Sequence, residues 1–325
     1  MMSSMNVQPV PNDLRYPYFR KMDGSISIWD DPSVKGGIVL IDGYQPLTNL
    51  GAVLGKANSY NYMEEIDIVL LKMVGDCIAV NENQLKRLMS TKTTRSQVSL
   101  RLKKLRRHGF VHRWEISSSE DKENKPPAPF TLGLAGYIFL KHYYSKQFFM
   151  EPTRWQTLGV SAVQRYVAIN EIRCQTYESQ CLRDFKWNGV ILNNPQLYHG
   201  FSVMEILTPQ GNINFVVERV QQGKDFLSYL RTRLIKWEMV YQQHNYLPID
   251  DMNRNKSTIA ISVSCKELAD NILKQLDIGK FKLPIMFCIE ELQESLGLAH
   301  SFYMPFYEET KENTILKKVD MPFFD

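Results

Sequence analysis

The 325-residue sequence has no run of about 18 apolar residues, and it does not open with a charged segment followed by an apolar one. The first absence argues against a helical membrane span and the second against a secretory leader. The expectation is a cytoplasmic protein with no membrane partner. Cysteine is scarce: Cys77, Cys174, Cys181, Cys265 and Cys288 are odd in number, widely spaced and without a CxxC pair. That excludes a disulfide framework and a zinc ribbon, and leaves buried thiols in a reducing compartment. The sequence also lacks a P-loop, a GxGxxG turn and an HExxH helix, and its six histidines are scattered. No cofactor and no metal are expected from such a set.

The most informative absence is local. From Asn83 to Trp114 there is no aspartate or glutamate, yet ten of the chain's 39 lysines and arginines fall there. Outside that stretch 29 basic residues face 35 acidic ones, so the mild net charge of +4 hides a concentrated basic patch on an otherwise acidic chain. A local basic patch is the electrostatic footprint of a nucleic-acid face.

The same stretch carries helix punctuation. Asn81 and Gln84 have the spacing of a capping box that opens a short helix through Leu85, Leu88 and Met89. Ser90 to Thr93 forms a polar turn, and Thr94 with Gln97 reads as a second capping box. In the helix that follows, Val98, Leu102 and Leu105 fall at i, i+4 and i+7, while Ser96, Lys103 and Arg107 point the other way. Gly109 after Arg106-Arg107-His108 stops this helix, and Phe110 to Trp114 reads as a strand. A lone basic helix is usually just a solvated face. Two capped helices at helix-turn-helix spacing, followed by a strand, predict a winged helix whose second helix enters a major groove. Phosphate contacts are assigned to Lys86, Arg87, Lys92, Arg106 and Arg107, and base reading to Arg95, Ser96, Ser99 and Lys103. Thr94, Arg101, Lys104 and Arg113 complete the DNA-binding set.

Three segments are expected: an N-terminal arm (1–60), the winged helix-turn-helix domain (61–150) and an α/β C-terminal domain (151–325). In the arm, Ser25 to Trp29 alternates like a strand, and Gly37 to Ile41 is a short apolar run ended by the Asp42-Gly43 turn. Ile66, Leu70 and Met73 form the core stripe of a first helix. Ser117 to Pro127 is a polar wing, Phe130 to Leu132 its returning strand, and Leu134 to Phe149 an aromatic helix suited to a dimer interface. Beyond Glu151-Pro152 a helix spans Val160 to Tyr177. Strands are expected at Gly189–Leu192, Phe201–Leu207, Ile213–Val220, Ser257–Val263 and Leu283–Ile289, with helices over Gly223–Tyr241 and Lys266–Leu276. The alternation implies a parallel or mixed sheet. The residues from Glu308 onward read as a tail.

Taken in order, these segments resemble the replication-relaxation family of plasmid and mobile-element proteins. The likeness covers roughly 64 to 245. Gln84 to Leu88 and Arg101 to Val111 are similar to that family's helix-turn-helix and strand. Leu132 to Leu140 with Gly136 resembles its LT-x-x-G helix start, with Gly133 in place of Thr. Arg165 to Arg173 resembles its H-x-L-A-x-N helix, with Arg165 where His is usual, and Phe215 to Gly223 its F-x-x-E-x-D-x-G strand, with Val220 in place of the acid. The resemblance implies an α+β or α/β chain in which the N-terminal winged helix-turn-helix precedes a mixed-sheet domain like a degenerate restriction-endonuclease-like fold. It also implies sequence-preferring binding of double-stranded DNA in the control of plasmid or mobile-element replication, transfer or transcription.

Nucleases of that fold hold Mg²⁺ with an Asp and a Glu-x-Lys on adjacent strands. Here Glu218 stands at the Glu position, Val220 where Lys is needed, and no Asp lies near His199-Gly200. Glu205 is a second carboxylate for such a site only if the hairpin register puts it on the same face as Glu218. A non-enzymatic chain is therefore expected, with a Mg²⁺-dependent nuclease as the weaker alternative. The expected partners are double-stranded DNA and a second copy of the chain, because one recognition helix is poorly selective alone. The alternative reading is an adaptor that recruits a relaxase or a replication protein through the winged helix.

Overall fold

A computed structural model describes residues 18–28, 30–31, 33–60, 62–117, 127–197, 200–223, 225–308 and 313–325. The expected wing tip at Ser118 to Pro126, together with Trp29 and His199, lies outside the described residues. The chain is mixed α+β, and its described residues divide into two compact units, one within 31–171 and one of 18–30 with 172–325. The division falls at 171/172 rather than at 150/151, and the arm is shared between the two units.

The first unit is built on a four-stranded antiparallel sheet of order β1-β3-β4-β2. Its elements run β1 (Lys35–Val39), α1 (Leu50–Ala57), α2 (Glu65–Cys77), β2 (Ala79–Asn81), α3 (Glu82–Leu88), α4 (Arg95–Arg107), β3 (Val111–Ser117), β4 (Pro129–Leu132), α5 (Leu134–Tyr143) and the start of α6 (Trp155–Glu178). The apolar run of the arm thus becomes β1, whose whole length pairs with Arg113 to Ser117 of β3, Gly36 opposite Ile116 and Ile38 opposite Trp114. Of the stripe expected on α2, with Val69 and Val74 widening Ile66, Leu70 and Met73, Leu70 and Val74 are buried together with Leu71, while Ile66, Val69 and Met73 are half-buried. The aromatic helix is shorter than expected. It is capped at Tyr144, and beyond it Phe149 turns back into the core, where Phe149 and Leu140 close on Gly75. Gly136 is explained by packing, since a Cβ there would lie 2.1 Å from the Phe110 carbonyl.

One backbone position stands out. Ile78, between α2 and β2, has φ 64° and ψ −59°, a conformation that a β-branched side chain strongly disfavours. The Asn170 amide, from α6, donates to the carbonyls on both sides of it, Cys77 and Ala79, each at 2.8 Å. The two bonds fix the turn from outside, because the local sequence would not hold it.

α6 kinks at Gly159 (φ 71°) and then runs to Glu178, as the sequence predicts for Val160 to Tyr177. The second unit carries a seven-stranded sheet of order β11-β10-β9-β8-β7-β6-β5. Its elements are β5 (Leu182–Gly189), β6 (Gly200–Thr208), β7 (Gly211–Arg219), α7 (Phe226–His244), β8 (Lys256–Val263), α8 (Lys266–Gln275), β9 (Ile285–Ile289), α9 (Glu290–Leu296), β10 (Phe302–Glu308) and β11 (Asn313–Val319). β7, β8 and β9 are parallel and the outer pairs antiparallel, so the sheet is mixed. α7 and α8 cover one face, packing Leu234, Trp237, Leu268 and Ile272 on Val216, Ile259, Ile261 and Phe287. The opposite face carries Phe215, Phe302 and Phe324 in ring contact.

Three expectations are corrected here. The strand placed at Gly189–Leu192 is β5 at Leu182–Gly189; Leu192 and Asn193 take φ near 50° and make a turn instead. β5 escapes sequence reading because its charged Arg183, Asp184 and Lys186 mark a sheet edge rather than a core. The tail from Glu308 is not loose: β11 pairs with β10 from Asn313 to Val319, and Phe324 is buried. Ser25–Ile28 forms no strand. It belongs to an N-terminal strap on the second unit, held by Lys21–Glu294, Met22 N–H to Glu291, and Asp30–Arg219.

Candidate nucleic-acid interface

The two helices of the basic stretch begin as the sequence predicts. The Asn81 side chain accepts from Gln84 N–H at 2.9 Å, and the Gln84 side chain accepts in return from Asn81 N–H at 3.1 Å. The second box is half-made: Thr94 Oγ1 accepts from Gln97 N–H, with Ser96 Oγ beside it. The turn between the helices is closed by Lys92 and Thr93 N–H on the Met89 carbonyl. Val98, Leu102 and Leu105 are wholly buried and seat α4 on the core. Gly109, at φ 72°, stops it.

The structure splits the basic residues into two groups. Arg101 is paired with Asp67 (3.0 Å) and Glu64 (2.9 Å), and Lys104 also reaches Asp67, whose side chain has no exposed surface. Those carboxylates raise the Arg101 pKa against the opposing effect of burial. Arg87 is paired with Glu171, and Lys86 with Glu82 one turn earlier. Ser99 donates to Glu82. Although partial burial pushes the Glu82 pKa up, the hydrogen bonds from Lys86 and Ser99 outweigh it and hold the group charged. Arg106 donates to the Val39 carbonyl, and burial, with Arg113 nearby, lowers its pKa. His112, also close to Arg106, is pushed down to about 4 by burial first and that charge second, so it is neutral at physiological pH. Lys86, Arg87, Ser99, Arg101, Lys104 and Arg106 are thus already engaged inside the unit. They fasten α3 and α4 to their neighbours.

The second group is free. Lys92, Arg95, Lys103 and Arg107 are exposed and make no ion pair with a described residue; Thr94 and Ser96 are exposed beside them. Arg113 lies half-buried on β3, also without an ion pair to a described residue. The site is therefore narrower than the sequence set: a strip along α4 and the turn before it. Sequence reasoning missed Leu100, 61% exposed in the middle of that strip. Its place off the Val98–Leu102–Leu105 stripe was the available signal.

In the second unit, the two carboxylates of the nuclease comparison do not converge. The β6–β7 register puts Asn214 opposite Glu205, so Glu205 and Glu218 share a sheet face but lie four residues apart, about 13 Å along the strands. Each has its own partners. Glu205 accepts from Asn212 (2.7 Å), Asn253 (2.8 Å) and Asn255 (3.0 Å), and Glu218 is ion-paired with Arg233 at 3.1 Å. Arg219 projects from the opposite face, where it joins Asp30 at 3.0 Å and grips Glu290 with two nitrogens. Among the described residues no group of three or more His, Cys, Asp or Glu is placed to hold a metal ion, and no helix is long and apolar enough to cross a membrane. No protein-family model, curated protein or solved structure matches the chain.

Proposed function

We propose that the first unit is a winged helix that binds double-stranded DNA with α4 in the major groove, and that the chain acts without catalysis in the control of a plasmid or mobile element, as its resemblance to the replication-relaxation family implies. The observation that carries this reading is the strip of unpaired, exposed cations on α4 and its preceding turn: Lys92, Arg95, Lys103 and Arg107. A cationic side chain left without an internal partner beside a polar helix start is available to phosphate. The order helix, strand, helix, turn, helix, strand, strand supports the same reading. The separation of Glu205 from Glu218, each held by its own partners, supports a scaffold role for the second unit.

A homodimer supplies the second recognition helix. Leu134, Tyr143 and Phe148 on and after α5 are exposed apolar groups suited to that contact. Four phosphate contacts per subunit, eight for the dimer, give a salt slope of about −7, or roughly a 10⁴-fold loss of affinity between about 50 and 200 mM salt. Fluorescence anisotropy with a duplex pool measures it. Absence of binding at the low-salt end rejects the proposal.

A further inference from the structure

We infer that Leu100 is a specificity residue that packs against the 5-methyl group of a thymine in the recognised DNA. The inference rests on the DNA-binding reading and goes one step further, from attraction to sequence. At about 100° per residue, Leu100 lies within about 15° of the direction opposite the mean of Val98, Leu102 and Leu105. It is the residue that points most directly away from the core together with Arg107, and Ser96 and Lys103 stand beside it. It is also the sixth residue of α4, inside the first two turns, the part of a recognition helix that meets base edges.

The neighbours make the assignment chemical. The other exposed residues of α4 are Arg95, Ser96, Gln97, Lys103 and Arg107, all polar or cationic. A helix surface that docks on protein surrounds an exposed leucine with further apolar groups; this one surrounds it with phosphate-seeking charge. When such a helix lies in a major groove, its flanks face phosphates and its centre faces the floor. The one apolar group on that floor is the thymine methyl. Leucine has no hydrogen-bonding atom with which to read any other base.

The full-length protein is used to select duplexes from a random pool at about 50 mM salt, and the winning duplex is remade with deoxyuridine replacing one thymidine at a time. Removal of one buried methyl is expected to weaken binding about fourfold at one position per bound helix and to leave the others unchanged. The Leu100→Ala protein should bind the thymidine duplex more weakly and no longer distinguish it from its deoxyuridine counterpart. The proposal is overturned if wild-type protein ignores the substitution at every position, if Leu100→Ala keeps the discrimination, or if bound duplexes share no sequence. These three results leave DNA binding itself standing. A pool that is not bound at all overturns both readings, and a protein that instead captures no DNA but self-associates through α4 does the same.

Discussion

Arg101 and Lys103 are two residues apart on one helix, carry the same charge, and should behave in opposite ways when replaced by alanine. Arg101→Ala removes the guanidinium that pairs with Glu64 and with the buried Asp67. Breaking a fully buried pair costs about 3–5 kcal/mol. Here Lys104 still reaches Asp67, and the Arg101 side chain keeps 16% of its surface in water. A loss of about 2–3 kcal/mol is the better figure, which lowers Tm by roughly 5–10 °C for a unit of this size. The salt slope of DNA binding should not change, because the group was never available to phosphate. Lys103→Ala removes an exposed charge with no partner in an ion pair, so stability should move by less than about 0.5 kcal/mol. The slope should fall by about 0.9 for each bound subunit, and affinity at about 0.15 M salt by roughly fivefold for each. Scanning calorimetry and anisotropy at four salt concentrations separate the two effects. If Arg101→Ala flattens the slope while Tm stays put, or Lys103→Ala leaves the slope intact, the division of α4 into internal and external cations is wrong.

Three other outcomes follow from the same geometry. Burial opposes the charge on Glu205, but the amides of Asn212, Asn253 and Asn255 outweigh it and hold its pKa below the ordinary value of 4.5. Its stabilisation is therefore complete above that value and disappears as pH falls through the lower folded one. Glu205→Gln should cost about 1–2 kcal/mol near neutral pH and progressively less as the pH is lowered through the acid range, read by denaturant titration and by hydrogen exchange over 250–255; a cost that does not change with pH refutes it. Supercoiled plasmid should survive incubation with the protein and Mg²⁺ or Mn²⁺, and cleavage that vanishes in Glu218→Ala would make the chain an enzyme. Sedimentation at micromolar concentration should give a dimer that Phe148→Glu splits; a monomer with and without DNA removes the dimer from the proposal.

What was legible in the sequence was what local rules determine. The Asn81–Gln84 cap, the Val98–Leu102–Leu105 stripe and the Gly109 stop each depend on residues a turn or two apart, and each forms as read. The central strands β6 to β9 were also visible as apolar runs, because both sheet faces are covered. The edges were not. β5 and β11 are charged or alternating and half-exposed, so nothing local distinguishes them from loop and tail. The site was overcounted for a related reason. A charge inventory treats Arg101 and Lys103 alike; only the fold brings Asp67 from α2 to one and leaves the other in water.

The pair of hydrogen bonds from Asn170 to the carbonyls flanking Ile78 sets a minimum length for the first unit. Gln84, whose side chain caps α3, also donates to the Val167 carbonyl at 2.9 Å. Both tethers come from α6, more than eighty residues downstream of what they hold. As the chain leaves the ribosome, the helix-turn-helix is complete in sequence by Trp114, but the turn at Ile78 has nothing to hold it until Asn170 emerges. A fragment cut at residue 150 keeps every basic side chain and loses the two brackets that hold α2 against β2, whereas one ending at Glu171 keeps them. Assembly of this unit is therefore timed by its last helix.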